Sequence, residues 1–598
     1  MTDDKSYHNY LADWAETLDD SQIESFFVVE ESPYITRLMD DQQRLLIGSR
    51  GVGKSMLLKK TELTADKEFN TKRNLGVYVT FKSSLILERM QKQDLDFIPF
   101  RQWTFAKILI SVIDKMVNLN LDSNNDDILK EVYGDISLIK LHQSLVNYVK
   151  LLENKNITNT KEVHNEAEKI IFTSLNDKSI KLLELLENPN STKIFLEGIA
   201  EKHNLNQIIF LFDEAAHLLS PEQQGEFFTI FKSLKSNRIT CKAAVYPAIT
   251  NYGNDFNISH DARPLYISRT ENDKNYLIFF RNLLEKRFDH SSTLWKKLTK
   301  NEEIVNTLCY ACSGNPRMLF HLIDIFDLHS GENPSLSTIQ AICRKFVQEE
   351  LWPFHDNNGF KFKSFAKPVA LGHEFISGTL IPALSNQNNV WREKESISLS
   401  IYCAIPSEIH SQDVKQILDL LAYSGILSFR DERKIGHNSS GRIYALHLAI
   451  AIAESVIKND KRTNSSFLNE IKLLERERFT QSNIKSVILE YADQLTKHSG
   501  ISCSTCNKSL EQGWKLCPYC GNEISQEKTQ YFELLSHPIE RLFLSEKLKR
   551  RILEHKEKNY EKVEDLLDAT LNDLGEISYI GPVRSRAIKG AAEEYISS

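Results

Sequence analysis

The sequence predicts an α/β fold in which a parallel sheet is flanked by helices, and three stretches carry that expectation. Leu45 to Ser55, read as LLIGSRGVGKS, is a short apolar run, a glycine-rich turn and the start of a helix. Gln207 to Glu214, QIIFLFDE, is an apolar run that ends in two adjacent carboxylates. Leu75–Phe81 and Thr240–Tyr246 are further runs of strand length, with helical periodicity over 100–119 and 221–236 in between. Strands that alternate with helices build parallel sheets, because a parallel connection needs a long crossover.

The first stretch carries chemistry as well as fold. Gly48-Ser49-Arg50-Gly51-Val52-Gly53-Lys54-Ser55 fits the phosphate-binding pattern GxxxxGK[ST] without a mismatch. Glycines let the backbone curl so that successive N–H groups point at phosphate oxygens, and the following helix offers the positive end of its dipole. Gly48 to Met56 are therefore the expected nucleotide contacts. Lys54 is placed to reach the β- and γ-phosphates of ATP, and the Ser55 hydroxyl to ligate Mg²⁺. In the second stretch Asp213 is expected to hold the Mg²⁺ shell, and Glu214 to orient and deprotonate the attacking water. Adjacent strand residues point to opposite sides, so the two acids divide these roles. The structural alternatives are a plain glycine turn and an acidic helix cap at a strand end.

Two later stretches add to the site. After the run ending at Tyr246, Thr250 and Asn251 are candidates to sense the γ-phosphate, with ordinary turn residues as the alternative. In Ser313-Gly-Asn-Pro-Arg317, Pro316 and Arg317 open a helix, so the Arg317 guanidinium can project back towards phosphate.

Composition bounds the rest. At 598 residues the chain is too long for one core. Hydrophobic content of 41% and charged content of 26% are those of an ordinary globular protein, and a net charge of −7 excludes a globally basic nucleic-acid binder. No apolar run is long enough to cross a bilayer, and the acidic start MTDDKSYHNYLADW is no secretory signal. Five of the nine cysteines are scattered and four are grouped. That pattern predicts a reducing cytoplasm and one metal site.

These motifs, in this order, resemble the AAA+ ATPases of the origin-recognition and initiator type, over roughly residues 20–350. The signalling ATPases called STAND proteins share the GNPR-type signal. The resemblance implies an AAA+ core over 1–289 with a helical insertion at about 123–205, and a helical lid over 290–352. On it GSRGVGKS is the Walker A motif, LFDE the Walker B motif, and Arg317 the lid arginine called sensor 2. The insertion is longer than usual, and no arginine finger is obvious. Arg263 and Arg269, flanking the expected final strand, are the candidates to act in trans.

Three smaller modules are expected beyond the lid. Over 353–480 a helix from Ser411 to Ala422, a strand at Tyr423–Phe429, a charged loop at 430–442 and a strand at Ile443–His447 look like a winged helix. Arg430, Arg433, Lys434 and Arg442 are its candidate phosphate contacts, with a protein-docking role as the alternative. Over 498–526, Cys503, Cys506, Cys517 and Cys520 form a CxxC…CxxCG pattern, the signature of a closed tetrahedral Zn²⁺ site. Over 530–598 the tail is similar to helix-hairpin-helix domains, with Tyr579 where their turn has its first glycine and Arg584, Arg586 and Lys589 on the next helix. The layout predicts an ATP-hydrolysing switch or motor acting on duplex DNA, in replication, transposition or phage defence. A homo-oligomer and an effector protein encoded nearby are the expected partners. The alternative is a STAND-like signalling ATPase whose C-terminal modules bind proteins.

Overall fold

The computed structural model describes residues 18–81, 98–121, 138–153, 185–214, 221–247, 249–331, 334–361, 365–394, 398–409, 411–435, 439–459, 466–481, 484–498, 501–502, 509–510, 520, 534–542, 544, 546–555 and 560–597. Its central element is a five-stranded parallel sheet. The strands are β1 (Arg44–Ile47), β2 (Asn74–Thr80), β3 (Gln207–Asp213), β4 (Ile239–Val245) and β5 (Arg263–Tyr266), in the order β2-β3-β4-β1-β5. The connection after β1 runs to one side, towards β2, and the connection after β4 runs to the other, towards β5, so strand order reverses between β1 and β4. Such a switch point opens a crevice outside the carboxyl ends of the strands. The register puts Ile47 beside Val245 and Tyr266, and Thr80 beside Asp213, so the glycine loop and the paired acids share that edge.

Alternation along β3 builds the two sides of the core. Ile208, Phe210 and Phe212 face one apolar cluster with Trp103, Tyr148 and Phe227, while Ile209 and Leu211 face another with Leu57, Leu58 and Ile35. Each such side chain, fully buried, stabilises the fold by about 1.5–3 kcal/mol. Phe81, Phe212 and Phe227 also meet as a trio with ring centroids 5.4–5.7 Å apart. The Leu138–Leu152 and Pro189–Lys202 helices, which belong to the expected insertion, bury Leu145, Tyr148, Leu196 and Ile199 in this first cluster. These two helices are core elements. Ser32-Pro33 starts a helix, Ser32–Leu38, where proline at the first turn forfeits no hydrogen bond.

After β5 come the helices Tyr276–Arg287, Thr293–Thr299, Glu302–Ala311, Pro316–His329 and Leu336–Phe346, which share one apolar cluster with the chain that follows. Residues 351–400 carry little sequence signal, yet they form the helices Trp352–Lys361, Ala366–Glu374 and Ile381–Glu393. The apolar period is broken there by buried polar residues that have partners. Asn388 bridges Ser400 in both directions, at 2.8 and 3.0 Å.

The next sheet runs β6 (Tyr402–Pro406), β7 (Leu427–Lys434), β8 (Ser440–Leu446) and β9 (Phe479–Thr480), in the order β7-β8-β6-β9. Between β6 and β7 lies the helix Gln412–Tyr423, capped by Ser411, whose hydroxyl accepts from Val414 N at 3.3 Å. The charged loop expected at 430–442 is mostly strand. β7 continues to Lys434 and pairs with β8 from Ser440 onwards, its charges projecting from a hairpin whose backbone is paired. A register shift between Phe429 and Asp431 marks a bulge at Arg430.

Further on, β10 (Ile501–Ser502) and β11 (Ser509–Leu510) pair antiparallel. The helices Glu546–Leu553, Val563–Asp568, Leu571–Gly575 and Pro582–Ser597 enclose a separate small core of Leu566, Leu574, Ile577 and Ile588. Among the described residues no helix is long and apolar enough to cross a membrane.

Candidate functional site

The loop after β1 adopts a conformation that its glycines make possible. Gly51 has φ +81°, and a Cβ there would lie 2.7 Å from both Arg317 Cβ and Asn315 Oδ1. Only glycine combines that backbone with that close approach. What approaches is the start of the helix Pro316–His329. Asn315 caps it, its Oδ1 accepting from Arg317 N at 3.1 Å, while its Nδ2 donates to the Arg50 carbonyl at 2.6 Å. Arg317 N also donates to the Gly51 carbonyl at 3.4 Å. One asparagine thus starts the helix and clamps the loop.

Lys54 begins the helix Lys54–Lys67 and is nearly fully buried. Its Nζ donates to the carbonyls of Gly48 at 2.7 Å and Ser49 at 3.0 Å, and it sits 3.6 Å from the centroid of the Tyr246 ring. Burial pushes the ammonium well below its usual range; Asp213 opposes that shift, while Arg317 and Arg50 add to it. Asp213 at the end of β3 is buried and accepts from the Tyr78 hydroxyl at 2.7 Å. Strand alternation explains the pairing, because Tyr78 stands beside Leu211, two residues before Asp213 and on the same face.

Glu214 follows in the left-handed region at φ +57°, uncommon for a non-glycine residue. Its carboxylate accepts from Thr80 Oγ1 at 3.5 Å. The fold therefore gathers Lys54, Asp213, Glu214 and Arg317 at one edge of the sheet, with Ser55 in the first turn of the loop helix. A buried carboxylate and a serine hydroxyl are oxygen donors of the kind a hard divalent cation takes. Bound Mg²⁺ would supply charge neutralisation at the phosphate oxygens.

Other expected site residues make contacts within the chain. Thr250 Oγ1 bonds both the amide and the carbonyl of Tyr246, at 3.0 and 2.9 Å, and Asn251 Oδ1 accepts from Gly253 N at 2.9 Å. These are turn contacts, and the side chain beside Lys54 is that of Tyr246. Arg269 donates to the carbonyls of Val52 at 3.1 Å and Gly314 at 3.2 Å, pairs with Glu31, and lies over the Phe279 ring at 4.2 Å. It braces its own chain's loop. Arg263 opens β5 at the opposite end of the sheet.

The C-terminal cations are largely neutralised. Arg430 forms a buried pair with Glu271 at 2.6 Å, Arg433 pairs with Asp431 and with Glu477 at 3.0 Å, and Arg442 lies 3.6 Å from Glu432. Lys589 donates to the carbonyls of Leu566, Leu567 and Ala569, closing the end of a short helix. Arg584 donates to the Tyr579 carbonyl at 2.6 Å. Lys434 and Arg586 are exposed. Cys503, Cys506 and Cys517 lie outside the described residues, and Cys520 is an exposed turn residue. Among the described residues no group of three or more His, Cys, Asp or Glu gathers as a metal site.

Residues 13–307 match the ORC-CDC6-like family model. That is just under half of the chain, and it contains the whole parallel sheet, the phosphate loop and both acids. Arg317 lies just past the end of the ORC-CDC6-like match. No curated protein matches the chain. Among solved structures, a structure of the Aeropyrum pernix ORC1 protein in complex with DNA aligns at 13% identity, covering 75% of this chain and 95% of that one. Its TM-score is 0.28, too low for the two chains to superpose as wholes.

Sequence reasoning missed the tyrosines. Tyr78, Tyr246 and Tyr423 each reach the site or its rim from strand or helix ends. Their only signal was a hydroxyl-bearing ring in an otherwise apolar run.

Proposed function

We propose that this protein is a Mg²⁺-dependent ATPase of the AAA+ initiator type that acts on duplex DNA. The observation that carries the reading is the meeting of Lys54, Asp213 and Glu214 at the carboxyl edge of the sheet, with the Asn315–Arg317 turn packed on the loop. Lys54 and the loop amides hold the phosphates, Asp213 and Ser55 hold the metal, Glu214 takes a proton from water, and Arg317 reports the nucleotide to the lid. The ORC-CDC6-like match over this region supports it. Lys54→Ala should abolish ATP binding, whereas Glu214→Gln should bind ATP and turn over at least about 100-fold more slowly. Binding by equilibrium fluorescence and phosphate release measure the two; parent-like behaviour of both variants refutes the site.

For DNA, the reading rests on exposed cations in a chain of net charge −7. Lys434 and Arg586 are the contacts we propose, and the β6–β9 sheet with its helix would serve as the winged helix. Replacing both with glutamate should weaken duplex binding for every sequence and flatten its salt dependence by roughly one unit per lost contact. We further propose that the four cysteines hold a structural zinc, and that the active form is a homo-oligomer working with an effector protein.

The pairing of Arg430, Arg433 and Arg442 with acids favours a second reading, a STAND-like signalling ATPase. There the β6–β9 sheet contacts protein. Absence of duplex binding by the parent at low salt, with and without ATP, selects it.

A further inference from the structure

Arg50 is the third residue of the phosphate loop, and it is held from three sides. Its carbonyl accepts from Asn315 Nδ2 at 2.6 Å, which fixes the main chain beneath it. Its guanidinium donates to the Tyr423 hydroxyl at 3.5 Å, and its Cζ lies 5.9 Å from the centroid of the Phe354 ring. The Tyr423 ring stands edge-on to Tyr246 at 5.9 Å, and Lys54 Nζ sits 3.6 Å from the Tyr246 ring. A line of aromatic contacts therefore runs from the loop lysine to the loop arginine.

Resting on the ATPase reading, we infer that Arg50 is a catalytic group of the same site: an arginine supplied in cis to the γ-phosphate, held in place by Tyr423. The transition state of phosphoryl transfer spreads negative charge over the γ-oxygens, and a positioned guanidinium stabilises it more than the ground state. Water adds to the γ-phosphorus as the bond to the β–γ bridging oxygen breaks. ADP leaves with that oxygen, phosphate leaves with the oxygen of water, and the water proton goes to the Glu214 carboxylate. Of the other candidates, Arg269 braces Val52 and Gly314 in its own chain, and Arg263 opens β5 at the opposite end of the sheet. The Arg50 charge also adds to the downward shift of the Lys54 ammonium, which places the two cations in one electrostatic neighbourhood. Tyr423 ends the helix Gln412–Tyr423, so the position of the C-terminal sheet is communicated to this arginine.

The test is ATP turnover by Arg50→Ala and Arg50→Lys, with affinity for a fluorescent ATP analogue as the control for an intact site. We expect kcat to fall about 100-fold or more in both variants, since lysine lacks the planar fork, while analogue affinity changes by less than about fivefold. Tyr423→Phe, which keeps the ring, should lower kcat several-fold and leave analogue affinity unchanged. Mixing Arg50→Ala with Glu214→Gln protein should restore nothing, because no chain then carries both groups. Parent-like kcat in Arg50→Ala overturns the inference, as does lost affinity with unchanged kcat, the mark of a mere brace. Recovered turnover in the mixture overturns its cis character. A parent that hydrolyses no ATP instead refutes the ATPase reading itself.

Discussion

His355 has no exposed surface: Nε2 donates to the Val369 carbonyl at 3.2 Å, and Nδ1 accepts from the Ser424 hydroxyl at 2.9 Å. Burial pushes the imidazole from its ordinary 6.5 down to about 4; Asp356 and the Val369 carbonyl oppose that shift, and His373 adds to it. The ring is therefore neutral in the folded chain, while the unfolded chain takes up a proton below pH 6.5. Its contribution to stability is complete above that pH and is lost as pH falls towards 4. His355→Gln keeps one donor and one acceptor but cannot titrate. Its loss of stability between pH 7.5 and pH 5 should be smaller than the parent's by about 2 kcal/mol, read by denaturant unfolding at the two pH values.

Between elements, the contact that matters most is that of the phosphate loop with the start of the helix Pro316–His329. Gly51→Ala introduces a methyl 2.7 Å from Arg317 Cβ and Asn315 Oδ1, on a backbone that already has φ +81°. The helix start has to move away, taking the Asn315 clamp off the Arg50 carbonyl. Such strain costs on the order of 1–3 kcal/mol and falls on the site before it falls on the fold. Gly51→Ala should therefore lose about tenfold or more in ATP affinity by equilibrium fluorescence. The melting temperature of the nucleotide-free protein should shift by only a few degrees. The GxxxxGK pattern announced the loop, but the tightness of this contact depends on Asn315, 264 residues after Gly51 in the chain.

Across the whole molecule, Glu271 ties the sheet of β6–β9 to the segment that follows β5. Burial pushes its carboxyl up, but Arg430, the Tyr402 hydroxyl and Arg476 outweigh that and hold it below the usual range. Arg430 and Glu271 are only 4% and 2% exposed. Removing one partner leaves the other charge buried and alone, which costs about 3–5 kcal/mol, whereas removing both costs much less. Arg430→Met should destabilise the protein by about that amount, and Arg430→Met with Glu271→Gln should recover at least about 2 kcal/mol of it in a double-mutant cycle. Because Glu271 lies two residues from Arg269, which bonds the loop residue Val52, the pair also links the C-terminal sheet to the nucleotide loop.

Sequence alone determined the elements whose pattern is local. β1, β2, β3 and β4 lie within one residue of the apolar runs that announced them, and the Ser411 cap and the Pro316 helix start are where their signals stood. Hydrogen bonding within a strand or helix imposes a period of two or 3.6 residues, and that period is written in neighbouring letters. The tertiary structure alone decided which polar groups meet. Tyr78 lies 135 residues from Asp213, Arg269 lies 238 from Glu31, and Arg50 lies 373 from Tyr423. It also took Arg430 out of the solvent-facing set and folded the helices Leu138–Leu152 and Pro189–Lys202 into the core. A charged or aromatic side chain has the same local pattern whether it faces water, a phosphate or a buried partner. Only the packing of distant elements fixes its surroundings, and that is where desolvation and pairing assign it a task.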